Sequence, residues 1–479
     1  MKLAQVLEFL GLTTSCEACE LKTMQTDSRQ VKPGDLFVAV PGINTDGRDY
    51  IPDAISKGAT AVLAEAPYVG PAIIVPNLRQ KLPELAAFFY NYPAKNLKLI
   101  GITGTNGKTS CSHYTAQILT AAHQPCGVMG TLGNGMLPNL NPTNLTTSGC
   151  CTLQRQLAEF SAQNVSLVTI EVSSHALDQQ RLRGLTFDTA VFTNLSQDHL
   201  DYHKSMQEYF SAKTRLFTEY NIKHSVINLD DQVAPELIKL INKSVPVFTY
   251  SLRNPQADIY LKQDILITPW GSGSLRTQLL GDFNLSNLLA CIACCALQGL
   301  KLESILAIIP TLTAVAGRMQ KVNTTDSTAP LVVIDFAHTP DAIIKSLQAL
   351  KGYKPNKLYC IFGCGGDRDR SKRPLMLRAA LDNCDQVIIT QDNPRNEDPQ
   401  QIVADMLHGI EHTDNIKILL DRAAAIQNTI AQASAGDIIV IAGKGHENYQ
   451  IIGDQKLPFS DLLIAQQALA VRGEHIWAI

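Results

Sequence analysis

The residues best suited to chemistry begin at Gly104. The run G-T-N-G-K-T-S covers Gly104, Thr105, Asn106, Gly107, Lys108, Thr109 and Ser110. Backbone N–H groups of a glycine loop can turn toward an anion, and a following helix adds the partial positive charge of its N-terminus. A lysine and a hydroxyl at the end of the loop suit the outer phosphates of a nucleotide and a Mg²⁺ ion. The spacing departs from strict G-x-x-x-x-G-K-T, because Ile102 stands five before Gly107. Lys108-Thr109 still favours nucleotide binding over an empty glycine turn.

Three further stretches could serve the same chemistry. E-V-S-S-H, Glu171–His175, puts a carboxylate at the end of an apolar run. N-L-S-Q-D-H-L-D-Y-H, Asn194–His203, packs histidines and aspartates into a short span, as a metal cluster or a solvated turn would. Mg²⁺ takes oxygen ligands and shares them with substrate phosphates. Lys213 lies on the apolar face of a helical run, at i+3 from Phe210 and i−4 from Phe217. A lysine there either snorkels to solvent or works beside the cluster. Farther on, G-C-G-G-D-R-D (Gly363–Asp369), D-N-P-R (Asp392–Arg395) and G-K-G-H-E (Gly443–Glu447) each follow a strand-like run. Arg368, Arg395, Lys444, His446 and Glu447 would then gather at one sheet edge, where open α/β sheets bind ligands.

Alternating strands and helices must position these loops. In the first hundred residues, strands are expected at Asp35–Val40, Thr60–Ala64 and Ala72–Val75, with helices at Ile51–Lys57 and Leu78–Tyr90. A buried strand over Leu97–Ile102 feeds the glycine loop, and a helix is expected from Cys111 to Ala122. Strands at Ser166–Val172 and Thr189–Thr193 and a helix over Ser205–Tyr220 follow. From about Gln320 strands are expected at Leu331–Phe336, Leu358–Phe362, Val387–Thr390, Ile416–Leu420 and Ile438–Ala442, a doubly wound, Rossmann-like pattern. The fold class is α/β, and 479 residues suit about three domains. They divide as a small N-terminal α/β domain (1–93), a central P-loop domain with a mostly parallel sheet (94–319) and a Rossmann-like domain (320–479).

A net charge of −3 gives no basic field for nucleic acid. The longest apolar run, Leu288–Leu297, is too short to span a bilayer, and the N-terminus lacks a signal peptide's apolar core. Twelve cysteines in so long a chain suggest free thiols rather than a disulfide framework, even with Cys16 and Cys19 at C-x-x-C spacing. These features suggest a cytoplasmic protein, and a monomer is expected.

Together the motifs resemble those of the Mur ligases, ATP-dependent amide-forming enzymes of peptidoglycan precursor synthesis. G-T-N-G-K-T, E-V-S-S-H, T-N-L-S-x-D-H-L-D-Y-H and the lysine of S-A-K-T occur in the family's order. So do G-x-F-N-x-S-N at Gly281–Asn287, A-G-R-M at Ala316–Met319, D-F-A-H-T-P-D-A at Asp335–Ala342 and G-C-G-G-D-R-D. The resemblance covers nearly the whole chain. It implies activation of a carboxylate by ATP as an acyl phosphate, followed by attack of an amine. It implies two Mg²⁺ ions with contributions from Thr109, Glu171, His199 and Lys213, the lysine carbamylated. Lys108, Glu171, His199 and Lys213 would form the catalytic set. Asn287, Arg318 and Asp335 would join the glycine loop in holding ATP.

T-D-S-R (Thr26–Arg29) and P-G-I-N-T-D-G-R (Pro41–Arg48) resemble the tripeptide-synthetase branch, which extends UDP-N-acetylmuramoyl-L-Ala-D-Glu. By that resemblance Thr26, Ser28, Ile43, Asn44 and Thr45 would meet the uridine nucleotide. Thr146, Thr147, Ser173, Gln179 and Arg181 would meet the muramoyl-dipeptide. Leu145 stands where the branch usually has Asn, so that side chain's contact is not carried over. D-N-P-R resembles the meso-diaminopimelate-adding enzymes, with Arg368, Asp392, Asn393, Pro394, Arg395, Gly443 and Glu447 around the amino acid. Diaminopimelate exceeds lysine by a carboxylate, which an arginine fork can bind bidentately. The competing readings are a lysine-adding ligase, a folylpolyglutamate synthetase-like ligase, and a P-loop nucleotide switch without ligase activity.

Overall fold

The computed structural model describes residues 1–13, 19–42 and 45–476. Three sheets carry the architecture, with a separate two-stranded hairpin. The first is four-stranded and parallel: Met24–Gln25, Leu36–Ala39, Ala61–Glu65 and Ile73–Val75 in that order. Its apolar residues pack against the helices Leu3–Phe9 and Leu78–Phe89, and Cys151 of the next unit reaches the same core.

The second sheet has eleven strands. The glycine-loop strand, Lys98–Thr103, sits between Thr186–Phe192 and Leu167–Glu171, and Cys126–Gly130 follows beyond the latter. These four are parallel, so their C-terminal ends share one edge. Each is buried along nearly its full length, as strands covered on both faces should be. One face carries the helices Lys108–Ala121 and Asp282–Leu297. The other carries Cys150–Ala162 and Met206–Thr218. Cys291, Cys294 and Cys295 are buried in this core, as small apolar residues would be. Antiparallel strands extend both edges, Gly133–Met136 with Asn139–Asn141 on one side and Ile265–Thr268 with Gly271–Ser274 on the other.

The third sheet runs Gln320–Lys321, Leu331–Ile334, Ile438–Ile441, Leu358–Phe362, Gln386–Ile389, Ile416–Ile418. Apolar cores lie on both of its faces, so it is doubly wound as expected. Ile438–Ile441 is last of these in the chain but sits between the two strands that precede Gly363 and Phe336. That order brings the loops after residues 362, 389 and 441 together.

Two expectations need correction. The helix after the glycine loop begins at Lys108 rather than Cys111. Cys19 is disulfide-bonded rather than a free thiol, while Cys16, its C-x-x-C neighbour, lies outside the described residues. Among the described residues no helix is long and apolar enough to cross a membrane.

Under the third sheet, Arg422 and Asp461 form a fully buried bidentate ion pair, with both bonds at 2.7 Å. Asp461→Ala would leave the guanidinium buried and uncompensated, a loss of about 3–5 kcal/mol. Calorimetry should show a clear fall in the melting temperature of this unit, while the conservative surface change Lys243→Arg should not lower it.

Candidate active site

Gly107 ends the glycine loop with φ +88° and caps the helix Lys108–Ala121. A Cβ there would lie 2.6 Å from Asn287 Oδ1, so only glycine lets the loop and Asn287 meet. Lys108 folds back over the loop: its ammonium donates to Gly104 O at 2.8 Å and Thr105 O at 2.9 Å. Desolvation lowers its pKa. Lys213 converges on the same point, donating to Gly104 O at 2.9 Å with Nζ 4.3 Å from the Tyr209 ring centre. It is only 2% exposed, so it does not snorkel. Burial, reinforced by Lys108, holds its pKa well below the usual lysine value. Ser205 caps the helix that carries it, accepting from Glu208 N–H at 3.2 Å.

Glu171 is fully buried at the end of the strand beside the loop strand. It accepts from Thr109 Oγ1 at 2.9 Å, Thr131 N–H at 2.9 Å and Thr131 Oγ1 at 3.1 Å. Thr131 was not foreseen. It stands just past Cys126–Gly130, the neighbouring parallel strand, a placement that only the strand order reveals. Thr147 donates to Glu171 O at 2.7 Å, and Ser173 N–H donates to Thr147 Oγ1 at 3.0 Å. Arg181 donates to Thr147 O at 2.7 Å and grips Gln179 Oε1 at 2.6 and 2.9 Å. Thr131 Oγ1 donates to Thr146 Oγ1 at 3.1 Å. The five residues expected at the muramoyl-dipeptide thus form one network with Glu171. Leu145 beside them is exposed.

The histidine–aspartate run divides. His203 is buried with Nε2 2.9 Å from Ser174 Oγ, a satisfied core histidine. His199 stays exposed, 3.5 Å from Asp198. Desolvation lowers its pKa, against the opposing charge of Asp198. Among the described residues no group of three or more His, Cys, Asp or Glu is placed to hold a metal. The oxygen donors at the loop, Thr109 and Glu171, nevertheless fit Mg²⁺, which draws its other ligands from phosphate and water.

The third unit reaches over the loop. Asn106 Nδ2 donates to Asp341 Oδ2 at 3.4 Å, and His338 Nε2 lies 4.0 Å from Asp198 Oδ2. Arg318 stacks on Phe336, 4.2 Å from its ring centre. Asp335 accepts from Met319 N–H at 3.1 Å, Phe336 N–H at 2.9 Å and the Ser346 hydroxyl. It ties the Arg318 segment to Phe336.

At the far edge Asn393 is the hub. Its Nδ2 donates to Glu447 Oε2 at 2.9 Å, and Lys444, fully buried, donates to Asn393 Oδ1 at 3.0 Å and Glu447 Oε2 at 3.1 Å. Asp392 Oδ2 crowds Gly443, where a Cβ would lie 2.6 Å from it. Pro394 is buried in the same loop. Arg395 is half-buried and donates to Gly366 O at 2.7 Å. Burial and the nearby Arg368 both lower its pKa. Arg370 and Arg373 are ion-paired with Glu397, whereas among the described residues Arg368 and Arg395 have no carboxylate within ion-pair distance. His446 faces away from this group, with its ring 5.2 Å from that of Phe336.

In the first unit Ser28 is buried and Thr26 and Thr45 are exposed. Among the described residues no hydrogen bond or ion pair joins them to Thr146 or Arg181, and Ile43 and Asn44 lie outside the described residues.

Comparison with known proteins agrees with this layout. Residues 20–90 match the Mur ligase family catalytic domain, 102–295 the Mur ligase middle domain, and 317–445 the Mur ligase glutamate ligase domain. A UDP-N-acetylmuramoyl-L-alanyl-D-glutamate–2,6-diaminopimelate ligase of Ectopseudomonas mendocina is 46% identical over 466 residues, covering 94% of this chain and 95% of that one. Its counterpart in Chromobacterium violaceum is 44% identical over 473 residues, 95% of each chain. A solved structure of an enzyme of the same name superposes with a TM-score of 0.68 at 38% identity, covering 99% of this chain and 100% of that one.

Proposed function

Because the chain belongs to the Mur ligase family, we propose that it is an ATP-dependent ligase joining meso-2,6-diaminopimelate to UDP-N-acetylmuramoyl-L-Ala-D-Glu. The observation that carries the choice of amino acid is the pair of unpaired guanidiniums, Arg368 and Arg395, in a pocket otherwise closed on itself. The three units divide the work at about residues 93 and 319. The first takes the uridine nucleotide through Thr26, Ser28 and the loop at Thr45. The second takes ATP and the dipeptide, and the third takes the amino acid. The reaction belongs to the cytoplasm, where ATP is available.

The D-Glu carboxylate attacks the terminal phosphorus of ATP, and ADP leaves. The amine of the second substrate then attacks the acyl-phosphate carbon, loses a proton and expels phosphate. Each step gathers negative oxygens. The loop N–H groups and Lys108 supply fixed positive charge where it accumulates. Arg181, steadied by Thr147 and Gln179, orients the dipeptide. Asn287 and Arg318 complete the nucleotide site, and Asp335 keeps Arg318 in place. Mg²⁺, held by Thr109, Glu171, His199 and a carbamylated Lys213, would neutralise phosphate charge. The contacts of Asp341 and His338 over the loop support closure of the third unit as the step that excludes water.

No observation favours the other readings. A lysine-adding ligase would leave Arg395 unpaired. A folylpolyglutamate synthetase-like ligase would not need the T-D-S-R unit. A bare nucleotide switch leaves Lys213 and the third unit without a task.

Phosphate release measured over a panel of amino acids tests the proposal. Release should require both the UDP-muramoyl-dipeptide and diaminopimelate. Lys108→Ala should fold normally yet lose about 3 kcal/mol of transition-state stabilisation, roughly a hundredfold in rate. Near-normal turnover in a folded Lys108→Ala variant would overturn the nucleotide assignment.

A further inference from the structure

Two late strands, Tyr449–Ile452 and Gln455–Pro458, form a hairpin that joins no larger sheet. The second strand is exposed along its whole length. An isolated two-stranded hairpin is marginal in water, and this one buries little apolar surface. What holds it is the loop Asp392–Arg395. Gln450, itself buried, donates Nε2–H to Asp392 O at 2.7 Å. Ile451 N–H donates to Asn393 Oδ1 at 2.9 Å. Arg395 N–H donates to Ile451 O at 3.1 Å, and Arg395 O accepts from Gly453 N–H at 2.8 Å.

Arg395 has φ +51°, in the left-handed region that a long side chain enters only at a cost. The hairpin brackets that backbone on both its donor and its acceptor side. A fork-shaped guanidinium recognises a carboxylate only when its direction is fixed. The same hairpin residues also fix Asp392 and Asn393, so one element sets the shape of the whole loop.

We infer that the hairpin Tyr449–Pro458 is a specificity clamp, with Gln450 and Gly453 as positioning residues that aim Arg395 at the second carboxylate of the amino-acid substrate. This rests on the pocket assignment above and deepens it. Neither residue needs to touch the substrate. Their effect passes through the backbone of the loop they hold.

Steady-state kinetics with diaminopimelate, lysine and ATP test the clamp in Gln450→Leu, Gly453→Ala, Gly453→Asn and Arg395→Ala. Gly453 has φ +57°, and a Cβ there would meet nothing within 4 Å. Alanine at 453 therefore acts through turn strain alone, and asparagine tolerates the left-handed conformation. Gln450→Leu should raise KM for diaminopimelate roughly tenfold, the scale of a lost hydrogen bond to a buried acceptor, and Gly453→Ala by about as much, the scale of holding an L side chain in the left-handed region. KM for ATP should stay unchanged, the preference over lysine should narrow, and Gly453→Asn should recover. If Gln450→Leu does not fold, the Gly453 pair carries the test. Unchanged diaminopimelate KM in the hairpin variants, with a raised value in Arg395→Ala, would overturn the clamp and leave the pocket intact. Equal losses toward ATP and diaminopimelate, or no recovery with asparagine, would make the hairpin merely structural and also overturn it. Intact amino-acid selection in Arg395→Ala would overturn the pocket assignment, and the clamp with it.

Discussion

Lys213→Ala is expected to abolish ligation, by at least roughly 10²–10³-fold, with the fold intact. The side chain is buried beside Lys108, and both ammonium groups donate to one carbonyl, that of Gly104. Desolvation disfavours the Lys213 ammonium, and the like charge of Lys108 on the same acceptor adds to that. The low pKa that results favours the neutral amine, the form that reacts with CO₂. In the proposed carbamylation the nitrogen lone pair would attack the carbon, a proton would leave, and an N-carboxylate would form. The product would reverse the local charge, turning a repelled cation into an anion facing Lys108. It would also add carboxylate oxygens to the donors that Thr109 and Glu171 offer. A small carboxylic acid diffused into the Lys213→Ala cavity should restore part of the rate, because it returns those oxygens without the tether. Labelling with ¹³C-bicarbonate should give a carbamate carbon signal in the wild type that the variant lacks. A bare amine in crystals of an active, nucleotide-bound form would overturn this.

The parts of this site that were legible from sequence are those whose signal is local. The turn that holds Gly107, Lys108 and Thr109 is legible because strand, glycine loop and helix are consecutive. The i+3 and i−4 spacing of Lys213 fixes a helix face but leaves open whether the side chain snorkels to solvent or works beside the cluster. The structure then decides the matter, since a side chain 2% exposed cannot snorkel. Partnerships that depend on strand order were not legible. Thr131 meets Glu171 because Cys126–Gly130 lies next to Leu167–Glu171, and nothing in either segment declares that adjacency. The sheet extensions were hidden for another reason. Gly271–Ser274 reads G-S-G-S and Gly133–Met136 reads G-N-G-M, with none of the β-branched content that marks a strand. The clamp hairpin, exposed on both sides of its second strand, shows no alternation. Asp335 illustrates a third limit. Its motif directs it to the nucleotide, and nothing local foretells that its carboxylate also accepts from Met319, Phe336 and Ser346.

Wild-type enzyme is expected to prefer meso-diaminopimelate over L-lysine by about 10⁴–10⁵-fold in kcat/KM. The reason lies in what the groups around the pocket already satisfy among themselves. Glu447 is neutralised by Lys444 and hydrogen-bonded by Asn393, so it asks little of a ligand. Arg370 and Arg373 are neutralised by Glu397. Arg395 spends one amino group on Gly366 O, and burial together with the like charge of Arg368 lowers its pKa against the opposing pull of Asp392, Glu447 and Asp367, none of which pairs with it directly. A substrate carboxylate placed there relieves that repulsion and restores the solvation that burial removed. Lysine brings no such group, and its ammonium would meet two guanidiniums instead. Its penalty is therefore an unpaired cation plus repulsion rather than a mere missing contact. Arg395→Ala should lower kcat/KM for diaminopimelate far more than it raises KM for ATP, because the glycine loop and Arg318 lie outside this pocket. It should not yield an efficient lysine enzyme, since Arg368 still repels the ammonium. Rates with both amino acids on wild type and Arg395→Ala decide the matter. Comparable wild-type efficiency with lysine would overturn the diaminopimelate assignment while leaving the ligase chemistry of Lys108 and Lys213 standing.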